Sequence, residues 1–243
     1  MKILSIGNSF SEDATAYLQS VSDGEIFVRN LFIGGCSLER HANNIKTGAS
    51  EYDYQKDGVC VEKISIPDAL KREKWDVVTV QQVSGLSGIY ESYEPYMTEV
   101  LNYVRKCLPD VKIVLHRTWA YEVGSTHDDF PRYGCSQPVM FEKIIEASTA
   151  AAKKHALSII PVGNAVQEAR KLPEFDISHG GVSITRDTFH LSIPYGRYLA
   201  ALVWYEFFTG KNAEDVKFEA DGSATEINAK LKKVAHMTVQ NCK

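Results

Sequence analysis

Short apolar, β-branched runs recur along the 243-residue chain at Ile3–Ile6, Ile26–Ile33, Val77–Val80, Ile113–Leu115 and Leu157–Ile160. Stretches long enough to hold helices separate them, so the alternation predicts about five parallel strands covered on both faces, a three-layer α/β/α arrangement. Two helices stand out. Over Met140–His155, Phe141, Ile144, Ile145 and Ser148 recur at helical spacing, with lysines near the end. Over Tyr195–Thr209, Leu199, Leu202, Val203 and Phe207 share a broad face, with Pro194 just before and Gly210 just after. From Asn43 to Lys63 and from Ala120 to Pro138 the chain shows no clean period, and both segments are read as excursions over the working edge of the sheet. The second contains Tyr121, Glu122, His127 and Tyr133.

No run of about 18 apolar residues and no internal repeat occurs, which sets aside membrane-spanning helices and solenoids. One domain over residues 1–243 is expected, since α/β folds hold this length around one sheet. Hydrophobic residues make up 44% and charged residues 24%, the balance of a soluble globular chain. The formal net charge of −4, with no basic run, provides no footprint for nucleic acid or an anionic membrane, so a small or uncharged partner is expected. The five cysteines are dispersed, which suits reduced thiols and no metal site. The start of the chain lacks the pattern of a leader; the literal expectation is cytoplasmic, or secreted or periplasmic if a leader has been removed.

Ligands of an open parallel sheet gather beyond the carboxyl ends of its strands. The first strand exits into Gly7–Asn8–Ser9–Phe10–Ser11, where a small residue permits a tight turn and Ser9 stands where strand gives way to helix. The same residues before Glu12 and Asp13 also read as a helix cap. A hydroxyl needs a base, and Asp187–Thr188–Phe189–His190 offers one near the other end of the chain. Its aspartate can accept from the imidazole Nδ1 while Nε2 takes the serine proton. This pair follows the last expected strand and precedes what reads as the final long helix. Ile33–Gly34–Gly35 at the second exit can bring a backbone N–H to a substrate oxygen or simply make a turn. Gln81 and Gln82 at the third are either side-chain donors to an oxyanion or ordinary loop residues.

Together these four places resemble the block pattern of the SGNH (GDSL-like) hydrolases, over Ile3 to Phe208. The resemblance is closest to a bacterial branch of generally unassigned activity with GNSFSEDA at the start and FHLS-x-x-G-x-Y near the end. It implies a flavodoxin-like sheet, Ser9 as nucleophile, Gly35 and the Ser9 backbone as oxyanion donors, Asp187 as orienter, His190 as base, and no cofactor. Two departures stand out. Asn8 replaces the usual aspartate, a change expected to matter little. The Gly-x-Asn-Asp block is missing, so Gln81 or Gln82 must stand in. Carbohydrate acetylesterase branches also carry glutamine at that strand end, which leans the expected substrate towards O-acetyl groups on sugars.

His116, Arg117 and Trp119 follow the fourth strand. Trp119 and Arg117 are candidates for pocket lining, with core packing and a structural ion pair as the competing roles. His41 and His179, taken to lack a carboxylate at a useful spacing, are read as ordinary polar residues, and Tyr195, Tyr198 and Phe207 as helix packing. Cys36 has no partner pattern that would make it a nucleophile. Two rival functions stay open: a carbohydrate-binding or scaffold protein whose third block has drifted, and a phosphate cradle at a helix N-terminus.

Overall fold

The computed structural model describes residues 1–242. Its sheet has seven strands rather than five: β1 (Lys2–Gly7), β2 (Phe27–Phe32), β3 (Tyr52–Lys56), β4 (Val59–Ile64), β5 (Val77–Val80), β6 (Lys112–His116) and β7 (Ser158–Ile160). They lie in the order β4-β3-β2-β1-β5-β6-β7. The five expected strands form the parallel part, each within a residue or two of its expected bounds. The two additional strands make an antiparallel hairpin on the β2 edge, inside the segment expected to be an excursion. Its cause is local: Asp57 (φ 51°) and Gly58 (φ 74°) are both left-handed, as the tight two-residue turn requires.

Helices cover both faces. On one lie α1 (Ser9–Thr15) and α2 (Leu18–Val21); on the other α3 (Leu38–Thr47), α4 (Ile66–Arg72) and α5 (Tyr96–Cys107). Then come α6 (Gln137–His155), α7 (Val162–Ala169), α8 (Tyr195–Thr209) and α9 (Thr225–Asn241). Strand alternation sorts the core, because Ile3 faces the α1 layer while Leu4 and Ile6 face the α3–α5 layer. The α8 helix matches its expected bounds but is buried nearly all round, with Tyr198, Leu199, Leu202, Trp204 and Glu206 inaccessible. The reason is α9, which packs on its outer side and is itself the last long helix. Glu206 is sealed between them, accepting from the Ala213 N–H, from Gln240 and from His236.

The chain runs from β1 outward to β2 and later returns to β5 on the other side of β1, so the connections diverge at the end of β1. A crevice of this kind is where an open α/β sheet holds ligands. Ser9 stands at its rim.

Candidate active site

Three residues form a continuous hydrogen-bonded line. Asp187 Oδ2 lies 2.7 Å from His190 Nδ1, and His190 Nε2 lies 2.8 Å from Ser9 Oγ. An ionised carboxylate only accepts, so Nδ1 carries the ring proton and Nε2 is left to accept from the serine hydroxyl. Burial works to raise the Asp187 carboxyl, but the imidazole and the His190 and Phe189 backbone N–H groups outweigh it and hold Asp187 below its ordinary range.

Ser9 owes its position to two neighbours. Gly7 is required because a Cβ there would come within 2.5 Å of Ser11 Oγ and 3.2 Å of Gln81 Cδ. Asn8 caps α1, accepting from the Phe10 N–H at 3.0 Å. As the first residue of α1, Ser9 has an N–H with no acceptor inside its own helix.

The change from aspartate at position 8 proves consequential. The Asn8 amide donates to Cys36 O at 3.1 Å while its oxygen accepts from Gln81 Nε2 at 2.8 Å. An aspartate has no N–H for Cys36. This bond ties the chain just after the Gly34–Gly35 turn to the residue preceding Ser9. Gly35 is exposed with φ 61°, and its N–H makes no hydrogen bond among the described residues.

The two glutamines differ from expectation. Gln82 spends both amide protons on Ser92, and its oxygen accepts from the Leu38 and Val83 N–H groups, so it is a brace and not an oxyanion donor. Gln81 is buried between Asn8 and His116, with its oxygen 2.9 Å from His116 Nδ1. That contact makes Nδ1 the protonated nitrogen of a neutral ring, and burial drives the His116 pKa down to about 3. One Gln81 N–H remains beyond the bond to Asn8.

Neither expected lining residue reaches the site surface. Trp119 is fully buried, stacked 4.2 Å beneath Phe10, and donates to Phe189 O at 2.7 Å. It is a floor under Phe10 and the loop of His190, not an exposed platform for a sugar. Arg117 points the other way, donating to Ser148, Thr149 and Asn164. It lines a cavity of about 610 Å³ at the β7 edge, with Lys112, Phe207 and Cys242.

Cys36 and His41 do meet, at 3.4 Å, but burial pushes the thiol up to about 12 and the imidazole down to about 3. Both are neutral and Cys36 is no nucleophile. His179, contrary to expectation, has a carboxylate three residues back: Asp176 Oδ2 lies 2.7 Å from its Nδ1. This second Asp-x-x-His is an exposed surface pair.

A residue the sequence reasoning passed over ties the two halves of the site together. Asp13 on α1 is fully buried, and its carboxylate accepts from Arg186, from Arg197 and from the Leu191 N–H at 2.9 Å. Arg186 and Leu191 flank the Asp187–His190 turn, so one side chain joins the helix of Ser9 to the loop of His190. Three further bonds hold that loop: Glu122 N–H to Thr188 O at 2.7 Å, Thr188 Oγ1 to Ser125 Oγ at 2.9 Å, and the Trp119 indole to Phe189 O. Thr188, a β-branched residue, sits there at φ 73°, a conformation that persists only when its surroundings impose it. The excursion from Ala120 to Pro138 is thus mainly a buttress; Tyr121 and Tyr133 are buried, and Pro138 already lies in α6.

A doubly covered, mostly parallel sheet with a serine after its first strand and an Asp-x-x-His late in the chain is the SGNH hydrolase fold. The chain belongs to the DUF4886 family, a domain of unknown function whose model matches residues 2–239. A DUF4886 family protein from Bacteroides uniformis is similar to it at 37% identity and a TM-score of 0.91, over 99% of this chain and 95% of that one. A protein provisionally called an SGNH hydrolase, from Slackia heliotrinireducens, is similar at 25% identity and a TM-score of 0.57, over 85% and 97%. An acetyl xylan esterase shares the fold at 12% identity and a TM-score of 0.50, over 84% and 98%. No curated protein matches the chain.

Proposed function

We propose that this protein is a serine esterase that hydrolyses small acyl esters, with O-acetyl groups on carbohydrates as the preferred substrate. The observation that carries this reading is the unbroken line from Asp187 through His190 to the Ser9 hydroxyl. A fold retained only for binding has no use for a hydroxyl, an imidazole and a carboxylate drawn from opposite ends of the chain into one proton path.

In the proposed reaction Ser9 Oγ attacks the ester carbonyl carbon as its proton passes to His190 Nε2. The resulting oxyanion is met by the Ser9 and Gly35 N–H groups, and removing one such donor typically costs about 2.7–4 kcal/mol. Collapse breaks the bond to the alcohol oxygen, which takes the proton from His190 and leaves an acyl-Ser9 ester. Water then attacks this ester, giving a proton to His190 that returns to Ser9 Oγ as the carboxylic acid departs. Asp187 stabilises the imidazolium in each half without itself being protonated. No cofactor enters the scheme. The test is hydrolysis of p-nitrophenyl acetate and butyrate: the wild type should turn over the acetate faster, and Ser9→Ala should lose nearly all of it. Rates near wild type in Ser9→Ala would refute the assignment.

A further inference from the structure

Along α1 from Ser9, a cleft of about 130 Å³ is lined by Glu12, Thr15, Asn30, Asp57, Gly58 and Arg197, among others. Glu12 stands three residues on from Ser9 along α1, hence on the same helix face. The outer wall is the tip of the β3–β4 hairpin, where a Cβ on Gly58 would lie 3.6 Å from Glu12 Oε1. The volume is well above the ~10–15 Å³ that one water needs.

The cleft holds hydrogen-bonding capacity that the protein does not use. Asn30 is only 5% exposed, and its Oδ1 has no partner. Its orientation follows from its neighbour: Thr15 gives its proton to Ser11 O at 2.8 Å, so it can only accept from Asn30 Nδ2 at 3.0 Å. The Glu12 side chain makes no hydrogen bond or ion pair among the described residues, and burial raises its pKa. Arg197 commits Nε and Nη2 to Asp13, leaving Nη1 as a donor at the cleft.

Unused acceptors therefore predominate, with one guanidinium edge among them. An anion would meet Glu12 and Asp57 while the charge of Arg197 is already shared with Asp13. An acyl chain would strand these polar groups. A hydroxyl both donates and accepts, and two adjacent hydroxyls match two acceptors and a forked donor. We propose that this cleft is a subsite for a vicinal diol on the alcohol half of the ester, with Glu12 and Asn30 accepting from its hydroxyls and Arg197 donating to them. The proposal rests on Ser9 being the group acylated, because Glu12 stands one helical turn along α1 from that serine.

Two measurements separate this from the esterase reading. In saturation-transfer NMR on full-length Ser9→Ala protein, methyl β-glucopyranoside should receive saturation and tetramethylammonium should not; Glu12→Ala added to that protein should remove the effect. In kinetics, the ratio of kcat/KM for a mono-O-acetyl methyl glucoside to that for p-nitrophenyl acetate should fall at least tenfold in Glu12→Ala and less in Glu12→Gln, which keeps an acceptor oxygen. No transfer to the glucoside, transfer to the cation alone, or transfer unchanged by Glu12→Ala would overturn the subsite and leave a water-filled cleft. An unchanged kinetic ratio would do the same. If neither ester is hydrolysed, the esterase reading falls while the NMR arm still decides the subsite.

Discussion

At the scale of single residues, the site turns on what each side chain can donate. Asn8 illustrates this best, because its amide donates to Cys36 O and accepts from both Phe10 N–H and Gln81, a combination a carboxylate cannot make. Asn8→Asp should leave a buried carboxylate facing a carbonyl and destabilise the fold by about 1–3 kcal/mol, read as a lowered urea midpoint with an unchanged slope. Near-wild-type stability would mean the Gly34–Gly35 turn does not depend on that amide. Asp187→Asn should lower kcat by about 10⁴, as expected when the imidazole is held in the wrong tautomer. The contacts of Ser9, Asp187 and His190 could be anticipated from the sequence because backbone position and side-chain chemistry coincide there. Those of Gln81 and Gln82 could not, since adjacent residues at a strand end face different neighbours and only packing reveals which amide is already committed.

Among elements, the telling contact is between α1 and the loop that carries His190. Asp13 bridges them through two arginines and a backbone N–H, all on a carboxylate with no solvent access. Removing one partner of a buried charge network typically costs about 3–5 kcal/mol, and Asp13→Ala should fall near the lower end because both arginines retain some solvent contact. Its kcat should fall with it, while KM for a small ester changes little, because Asp13 acts on position and touches no substrate. A large rise in KM with kcat intact would contradict that role. The sequence places Asp13 inside the GNSFSEDA run, yet an acidic residue beside Glu12 near the start of a helix looks solvent-facing until its partners more than 170 residues away are known. The β3–β4 hairpin escaped for a different reason. Tyr52–Lys56 is too polar to read as a strand, so the Asp57–Gly58 turn had no partner run beside it.

For the whole molecule, burial has consequences for acid stability. His41 and His116 are both sealed in the interior with pKa values lowered by desolvation to about 3. In the unfolded chain each takes a proton near pH 6.5, so the unfolded state binds more protons throughout the window from there down to the folded values. Their contribution is complete above about pH 6.5 and declines as the pH falls, by up to about 1.4 kcal/mol per pH unit for each histidine. Denaturant unfolding at pH 7 and pH 5 should show this loss, and His116→Gln should show a smaller drop between the two than wild type; equal drops would place the His116 titration elsewhere. At this scale the sequence pattern was most informative. The parallel strands and α8 follow from periodicity alone, whereas the covering of α8 by α9 depends on a contact between helices that no local pattern encodes.

Whether Ser9 is a nucleophile activated by His190 is decided by intact-mass and peptide mass spectrometry after treatment with a fluorophosphonate probe. One adduct, mapped to Ser9 and absent from His190→Ala, is the expected result. An unlabelled wild-type protein, or a label on any other residue, would contradict the account.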